Sequence, residues 1–165
     1  MKKMLAAALF SALIYAPIAL GQNDREGSKD YPGIARMPDH YIYLYGEVAY
    51  DGFDFPVTQN GKQVNQRVEG KFVRIQYLTK ANTVKPSPLQ IARNYQNAVK
   101  AAGGEVLADQ PFGSTYNTTL RLKKDGKETW IRVKSDGPGN YWLFIIEREA
   151  MKQDVTMDAA TMATG

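Results

Sequence analysis

The sequence predicts an α+β domain: an antiparallel sheet of about five to six strands, in the order β-β-α-β-β-β-β, with one helix packed on one face. Alternating apolar and polar residues recur in several segments, as in strands that bury one face. A single segment has the apolar spacing of a helix, with capping signals at both ends. Asn-Gly and Asp-Gly pairs between the alternating segments are strong hairpin signals. Runs of strands around a single helix are typical of the α+β class.

Residues 1–21 are typical of a cleaved bacterial secretory signal. Lys2 and Lys3 form a positive start, an apolar stretch follows, and Ala19 and Gly21 are small residues at a cleavage point. The stretch is short for a membrane-spanning helix of about 20 residues, so we expect no transmembrane segment after cleavage. The alternative is an uncleaved anchor. Export predicts the periplasm, with the protein either soluble or associated with the outer membrane.

The composition excludes some classes of function. The chain of 165 residues contains no cysteine, which rules out thiol catalysis and thiolate metal sites. Its formal net charge is +4, and two of these charges belong to the signal, so the net charge says little about partners. We expect no nucleic-acid partner. One histidine and irregularly spaced acidic residues predict neither a metal site nor a cofactor.

The first half of the mature chain predicts a loop followed by a long hairpin. Residues 22–40 are rich in Pro and Gly, which is typical of a lead-in loop. Residues 41–50 alternate and predict a strand with a half-exposed tyrosine side, and "DGFDFPV" then predicts a turn and a short extended piece. The Asn-Gly pair at 60–61 predicts a tight turn. Residues 64–78 predict the return strand, in which Gly70 is a candidate bulge.

The segment "SPLQIARNYQNAVKAAGG" predicts the helix. Ser87 is the N-cap, Pro88 occupies the first position and Gln90 completes a capping box. Gly103 supplies the left-handed stop. We expect the apolar stripe of this helix to face the sheet; the stripe consists of Ile91, Ala92, Tyr95, Ala98, Val99 and Ala102.

Four further segments predict strands: 105–108, 118–123, 129–134 and 141–147. The stretch "DQPFGS" after the first of them predicts a loop. The last segment, "YWLFIIE", is apolar on both sides and predicts a central strand covered on both faces. The predicted domain therefore spans residues 41–148, and residues 149–165 predict a tail that is helical or disordered.

Four stretches of the chain resemble one known module. They are "GSKDYPGIARMPDHYIYLYGEVAYDGFDFPV", "EGKFVRIQY", "IARNYQNAVKAAGGEVL" and "YWLFIIEREAMKQDV". In this order they are similar to the N-terminal module that precedes the OmpA-like peptidoglycan-binding domain in some bacterial envelope proteins. The similarity covers roughly residues 24–155. The resemblance implies residence in the cell envelope.

The resemblance carries no binding residue over to this chain. In those relatives the stretch like "EREAMKQDV" leads into a complete OmpA-like domain, whereas 10 residues follow Val155 here. The Asp and Arg that hold peptidoglycan in that domain have no counterpart in this sequence. Peptidoglycan binding is therefore not transferred, and the C-terminal domain is expected to be either lost or supplied by another chain.

A basic sheet face is the strongest candidate for binding. Six residues share the polar side of three predicted strands: Arg74, Arg121, Lys123, Trp130, Arg132 and Lys134. If these strands are neighbours, the residues form a basic plate with an aromatic centre, which could bind anionic glycan, lipopolysaccharide phosphate or nucleic acid. The alternative is an ordinary solvated face, whose Lys and Arg stems cover apolar surface.

A catalytic site is the weaker candidate. Asp39 and His40 are adjacent and would form the acid–base pair of a small periplasmic hydrolase or modifying enzyme. The sequence shows no nucleophile beside them, so an exposed loop histidine is the simpler interpretation.

Together these observations predict a protein that is not an enzyme. We expect an exported, non-catalytic binding or scaffolding module of the bacterial cell envelope, without catalytic residues. Its expected partners are envelope proteins or anionic envelope glycan or lipid. Two alternatives stay open: the hydrolase that uses the Asp39–His40 region, and an adaptor that adds a strand to a partner's sheet.

Overall fold

The structure is a computed structural model and describes residues 22–149. Six strands and one helix follow one another in this part of the chain. Their bounds are β1 His40–Gln59, β2 Lys62–Thr79, α1 Pro88–Ala101, β3 Glu105–Phe112, β4 Thr115–Lys124, β5 Lys127–Ser135 and β6 Tyr141–Arg148. The predicted signal at 1–21, and the predicted tail from residue 150 onward, lie outside the described residues.

The predicted α+β class is wrong. Strands hold 57% of the described residues and the helix holds 11%, so the fold is dominated by its sheet. The prediction assigns "DGFDFPV" to a turn and a short extended piece, and "DQPFGS" to a loop. In the structure β1 continues through "DGFDFPV", and β3 continues through most of "DQPFGS". Pairing with β2 and β4 extends these strands despite their Gly, Asp and Pro residues, because tertiary context overrides local strand propensity.

All six strands form one antiparallel sheet in the order β1-β2-β6-β5-β4-β3. The strand β6 lies between β2 and β5, as its apolar residues on both sides predict. The edges are β1 and β3. The start of the β1 edge is covered by the lead-in loop, since the Ile42 N–H donates to the Asp24 carboxylate and the Arg25 N–H donates to the Ile42 carbonyl, both at 2.8 Å.

The helix α1 covers one face of the sheet. The Ser87 hydroxyl accepts the Gln90 N–H at 3.1 Å and caps the first turn. Gly103, with φ of 86°, ends the helix in the left-handed conformation. The apolar core on this face includes Ile91, Tyr95, Val99, Leu120, Ile131, Leu143 and Ile145.

The outer half of the β1–β2 hairpin covers part of the opposite face. Pairing between β2 and β6 extends from Lys71 to Tyr77, so beyond Gly70 the hairpin bends across the sheet and packs on β5 and β6. The sequence predicts a bulge at Gly70 of β2. The structure places the bulge in the partner strand β1 opposite Gly70, where the register shifts between Val48 and Asp51. This second core consists of Phe55, Val57, Val68, Trp130 and Ile146.

Candidate functional site

An apolar cleft opens on the helix face, between α1 and the lead-in loop of residues 22–39. Its volume is about 610 Å³, which is within the range of small-molecule sites. Loop residues 31–38 form one wall, the second half of α1 forms the other, and β4, β5 and β6 form the floor. The apolar lining includes Pro32, Ile34, Met37, Ala98, Val99, Ala102, Leu122 and Ile131.

Arg36 holds the loop wall in place. Its Nη2 lies 2.9 Å from Asp24 Oδ2 and 2.8 Å from Asp30 Oδ2, and its guanidinium lies 5.5 Å from the centre of the Tyr77 ring. The hydrogen bond to Asp24 is the main cause of the raised pKa of Arg36, and the same bond lowers the pKa of Asp24. Two carboxylates face the single Arg36 cation, so this wall carries a net negative charge and offers no free cation to a ligand.

A buried tyrosine cluster joins the loop, the helix and the sheet beside the cleft. The Tyr141 hydroxyl lies 2.8 Å from the Tyr95 hydroxyl and accepts the Met37 N–H at 3.0 Å. Tyr77 stacks on Tyr141 and donates to Asp30 at 2.7 Å. Burial raises the pKa of Tyr141 to about 12 and the pKa of Tyr95 well above its usual value. These hydroxyls stay protonated at neutral pH and serve as hydrogen-bonding groups of the fold.

Charged side chains surround the mouth of the cleft. The Tyr31 hydroxyl donates to Glu147 at 2.7 Å, and this bond is the main cause of the lowered pKa of Glu147. Lys127 Nζ lies 3.2 Å from Glu147 and 2.6 Å from Glu149. Lys124 also lines the mouth, and within residues 22–149 it forms no salt bridge. Lys124 is therefore an unpaired cation, and its neighbour Asp125, which also lines the cleft, is a carboxylate without a salt bridge within residues 22–149.

Asp109 anchors the helix wall to the sheet. Its carboxylate accepts hydrogen bonds from Tyr116 at 2.6 Å, from Gln96 at 2.9 Å and from Arg93 at 2.8 Å. The buried Gln96 amide also donates to Thr118 at 2.9 Å. Burial acts to raise the pKa of Asp109, but the three donors outweigh it and the pKa is lowered. This network fixes α1 against β3 and β4.

The predicted basic face is interrupted in the structure. By strand register, the face opposite α1 carries all six predicted residues: Arg74, Arg121, Lys123, Trp130, Arg132 and Lys134. Trp130 is 1% exposed because the hairpin places Phe55 against it, with 5.5 Å between ring centres. Arg121 is bound by a glutamate of β3 at 2.6 Å, and Lys134 by Asp136 at 3.0 Å. The expected aromatic centre is therefore core, and two of its cations are neutralised.

Sequence reasoning missed two aromatic residues on this face. Trp142 and Phe144 of β6 are half-buried, and Phe144 lies between Arg74 and Arg132 on the neighbouring strands. The apolar residues on both sides of β6 predict a strand covered on both faces. The hairpin covers one end of this face and leaves these two rings partly exposed, which the residue pattern of β6 does not reveal.

The predicted Asp39–His40 pair does not form an acid–base site. His40 is 3% exposed, and both of its ring nitrogens face backbone carbonyls: Nδ1 lies 2.6 Å from Pro38 O and Nε2 lies 2.5 Å from Gly139 O. Both nitrogens are therefore enclosed by backbone, and neither is exposed to a substrate. Asp39 is exposed in a turn with φ of 57°. The interpretation of His40 as an exposed loop residue is wrong, because the turn before β6 packs over it.

Comparison of the chain with protein-family models, curated proteins and solved structures finds no match. The resemblance to the OmpA-associated module therefore stays a prediction. Between residues 22 and 149, no helix is long and apolar enough to cross a bilayer. The same part of the chain holds no group of three His, Asp or Glu side chains placed to bind a metal ion.

Proposed function

We propose that this chain is an exported, non-catalytic binding module of the bacterial cell envelope, and that its ligand is an amphiphile with a single apolar chain. The apolar chain lies in the cleft between the lead-in loop and α1, and the head group lies at the mouth. The cleft is the observation that carries this proposal. The predicted signal and the resemblance to envelope modules support the compartment.

The lining of the cleft matches a ligand with one apolar body and one polar end. Its interior is apolar, and the polar groups of its walls are bonded to one another: Arg36 to its two aspartates, and Tyr95 to Tyr141. An apolar chain gains about 0.8 kcal/mol for each CH₂ that it buries. At the mouth, the unpaired ammonium of Lys124 is the group that meets an anionic head group, although Asp125 beside it opposes this attraction and Lys127 is engaged by two glutamates.

Equilibrium dialysis with radiolabelled palmitate tests the cleft. We expect saturable binding by the full chain purified from the envelope fraction of a bacterial host. Ala98→Trp places an indole in the cleft and should weaken binding at least tenfold, which corresponds to about 1.4 kcal/mol. Ala98 is exposed and lines the cleft, so the variant should fold. Asn97→Trp adds the same ring at an exposed position outside the cleft and should bind like the wild type.

A second variant tests the head-group end. Lys124→Glu should weaken palmitate binding several-fold and leave binding of an uncharged monoacylglycerol unchanged, because the apolar contacts are the same for both ligands. Two results would refute the cleft as the site. One is the absence of saturable binding for either lipid, and the other is an equal loss of affinity in both tryptophan variants.

A further inference from the structure

The face opposite α1 carries a row in which an aromatic ring lies between two arginines. Phe144 of β6 pairs directly with Arg74 of β2 and with Arg132 of β5. Directly paired residues on neighbouring strands direct their side chains to the same face. Trp142 follows on this face two residues along β6 and pairs with Lys134. The face therefore presents an aromatic strip bordered by cations.

The aromatic stack on this face has an open end. Phe53 and Phe144 stack with 4.9 Å between ring centres, and Phe144 and Trp142 stack with 5.6 Å between centres and planes 10° apart. Within residues 22–149 no ring stacks on the second side of Trp142, and its side chain is partly exposed. A ring from a ligand would continue the stack at that point.

Arg132 is a half-buried cation with no salt-bridge partner in the described part of the chain. Its Nη2 donates to the neutral Asn117 side chain at 2.9 Å, and its Nε is buried without a hydrogen-bond partner. Burial lowers the pKa of Arg132, and Asp136 offsets this in part. Asp136 itself is held by Lys134 at 3.0 Å. A cation in this setting costs stability, because its hydration is lost and no protein anion replaces it.

We propose that this strip is a second binding site, independent of the cleft, for an anionic saccharide. The sugar ring packs on the open side of Trp142, and its phosphate or carboxylate lies between Arg132 and Arg74. Guanidinium groups bind both anions through paired N–H donors. The C–H face of a sugar ring is apolar enough to pack on an indole. Arg74 is exposed and, within residues 22–149, forms no salt bridge. Its side chain lies over Gly46 of β1, so it meets the ligand by rotating toward β6.

Tryptophan fluorescence titration tests this site with three probes: phosphomannan, polygalacturonate and neutral mannan. Trp142 is partly exposed and Trp130 is buried, so stacking on Trp142 should change the emission. We expect a saturable change with at least one anionic glycan, weaker at high salt, and none with neutral mannan. Which anionic glycan binds identifies phosphate or carboxylate as the group recognised. Trp142→Phe should abolish the fluorescence change.

Arg132→Gln separates a binding role from a structural one. The variant should lose at least tenfold in affinity while its thermal unfolding midpoint stays equal or rises, because it removes an unpaired half-buried charge. Arg67→Gln is the matched control: it removes an exposed arginine that is paired with Asp54 on the hairpin, and its affinity should match the wild type. Wild-type affinity in Arg132→Gln, an equal loss in Arg67→Gln, or a loss that accompanies a lowered unfolding midpoint would each overturn the proposal. Palmitate binding to the cleft is measured separately, so each of the two proposed sites can be refuted without the other.

Discussion

Residues on the same face of one strand can differ in burial in this fold. Trp130 and Arg132 are two residues apart in β5 and face the same side, yet Trp130 is core and Arg132 is partly exposed. The reason is the hairpin, which lays Phe55 on Trp130 and leaves the Arg132 side chain partly exposed. His40 is buried in a similar way, by Gly139 at a separation of 99 residues in the chain. Alternation predicts which face a side chain joins, but not which part of that face is covered.

Gly70→Ala should destabilise the protein through a backbone clash. A Cβ at this position would lie 2.2 Å from the carbonyl oxygen of Glu147, and a backbone atom of a central strand cannot move aside without breaking its pairing. We expect a loss of roughly 1–3 kcal/mol or more in the free energy of unfolding, measured by urea denaturation.

Gly52→Ala is the control for this clash. The Cβ there would meet atoms of the exposed Arg67 side chain, which can swing into solvent, so the loss should be clearly smaller. Equal losses in the two variants would contradict the role of close backbone packing at Gly70.

Among the elements, the helix could be predicted from the sequence and the strand ends could not. The signals for α1 are local: Ser87 bonds to a backbone group three residues away, and Gly103 ends the helix by its own conformation. The ends of β1 and β3 depend instead on partner strands. The predicted stripe of α1 is also wider than its contact with the sheet. Ala98 and Ala102 belong to the stripe but are exposed and line the cleft. This apolar surface, which the sheet does not cover, is the sequence signal that could have revealed the cleft.

Ser87→Ala should lower stability through the loss of the helix cap. The hydroxyl satisfies the Gln90 N–H at 3.1 Å, and the typical cost of removing such a cap is about 1 kcal/mol. Urea denaturation of Ser114→Ala supplies the comparison, since Ser114 is an exposed turn residue and its variant should match the wild type. A Ser87 variant as stable as the wild type would show that tertiary contacts alone hold the first turn.

For the whole molecule, paired carboxylates tie stability to pH. The pKa values of Asp24, Glu47, Asp109 and Glu147 are all lowered in the folded state. That of Glu47 falls to about 2, chiefly through its hydrogen bond with Lys71. A carboxylate with a lowered folded-state pKa binds protons more readily in the unfolded chain. The stability that it contributes is therefore present at neutral pH and is lost as the pH falls.

Acid should thus destabilise the fold progressively between about pH 4.5 and about pH 2. Urea midpoints measured across this range should decrease steadily. Glu47→Gln removes the carboxylate with the lowest stated pKa, so its midpoint should be lower at neutral pH and should decline less steeply in acid. A wild-type midpoint that does not change from neutral pH to about pH 3 would contradict the pairing of these groups.

The order of strands and helix followed from the amino-acid sequence alone, because alternation, capping and tight turns act between residues close along the chain. The dominance of the sheet, the burial of Trp130 and the cleft beside α1 required the tertiary structure. Each of them arises where distant segments meet: the hairpin bending over β5 and β6 beyond Gly70, and the lead-in loop held by Arg36 opposite the helix. Such contacts depend on where strand pairing stops and which surfaces then come together, and no local pattern of residues encodes that.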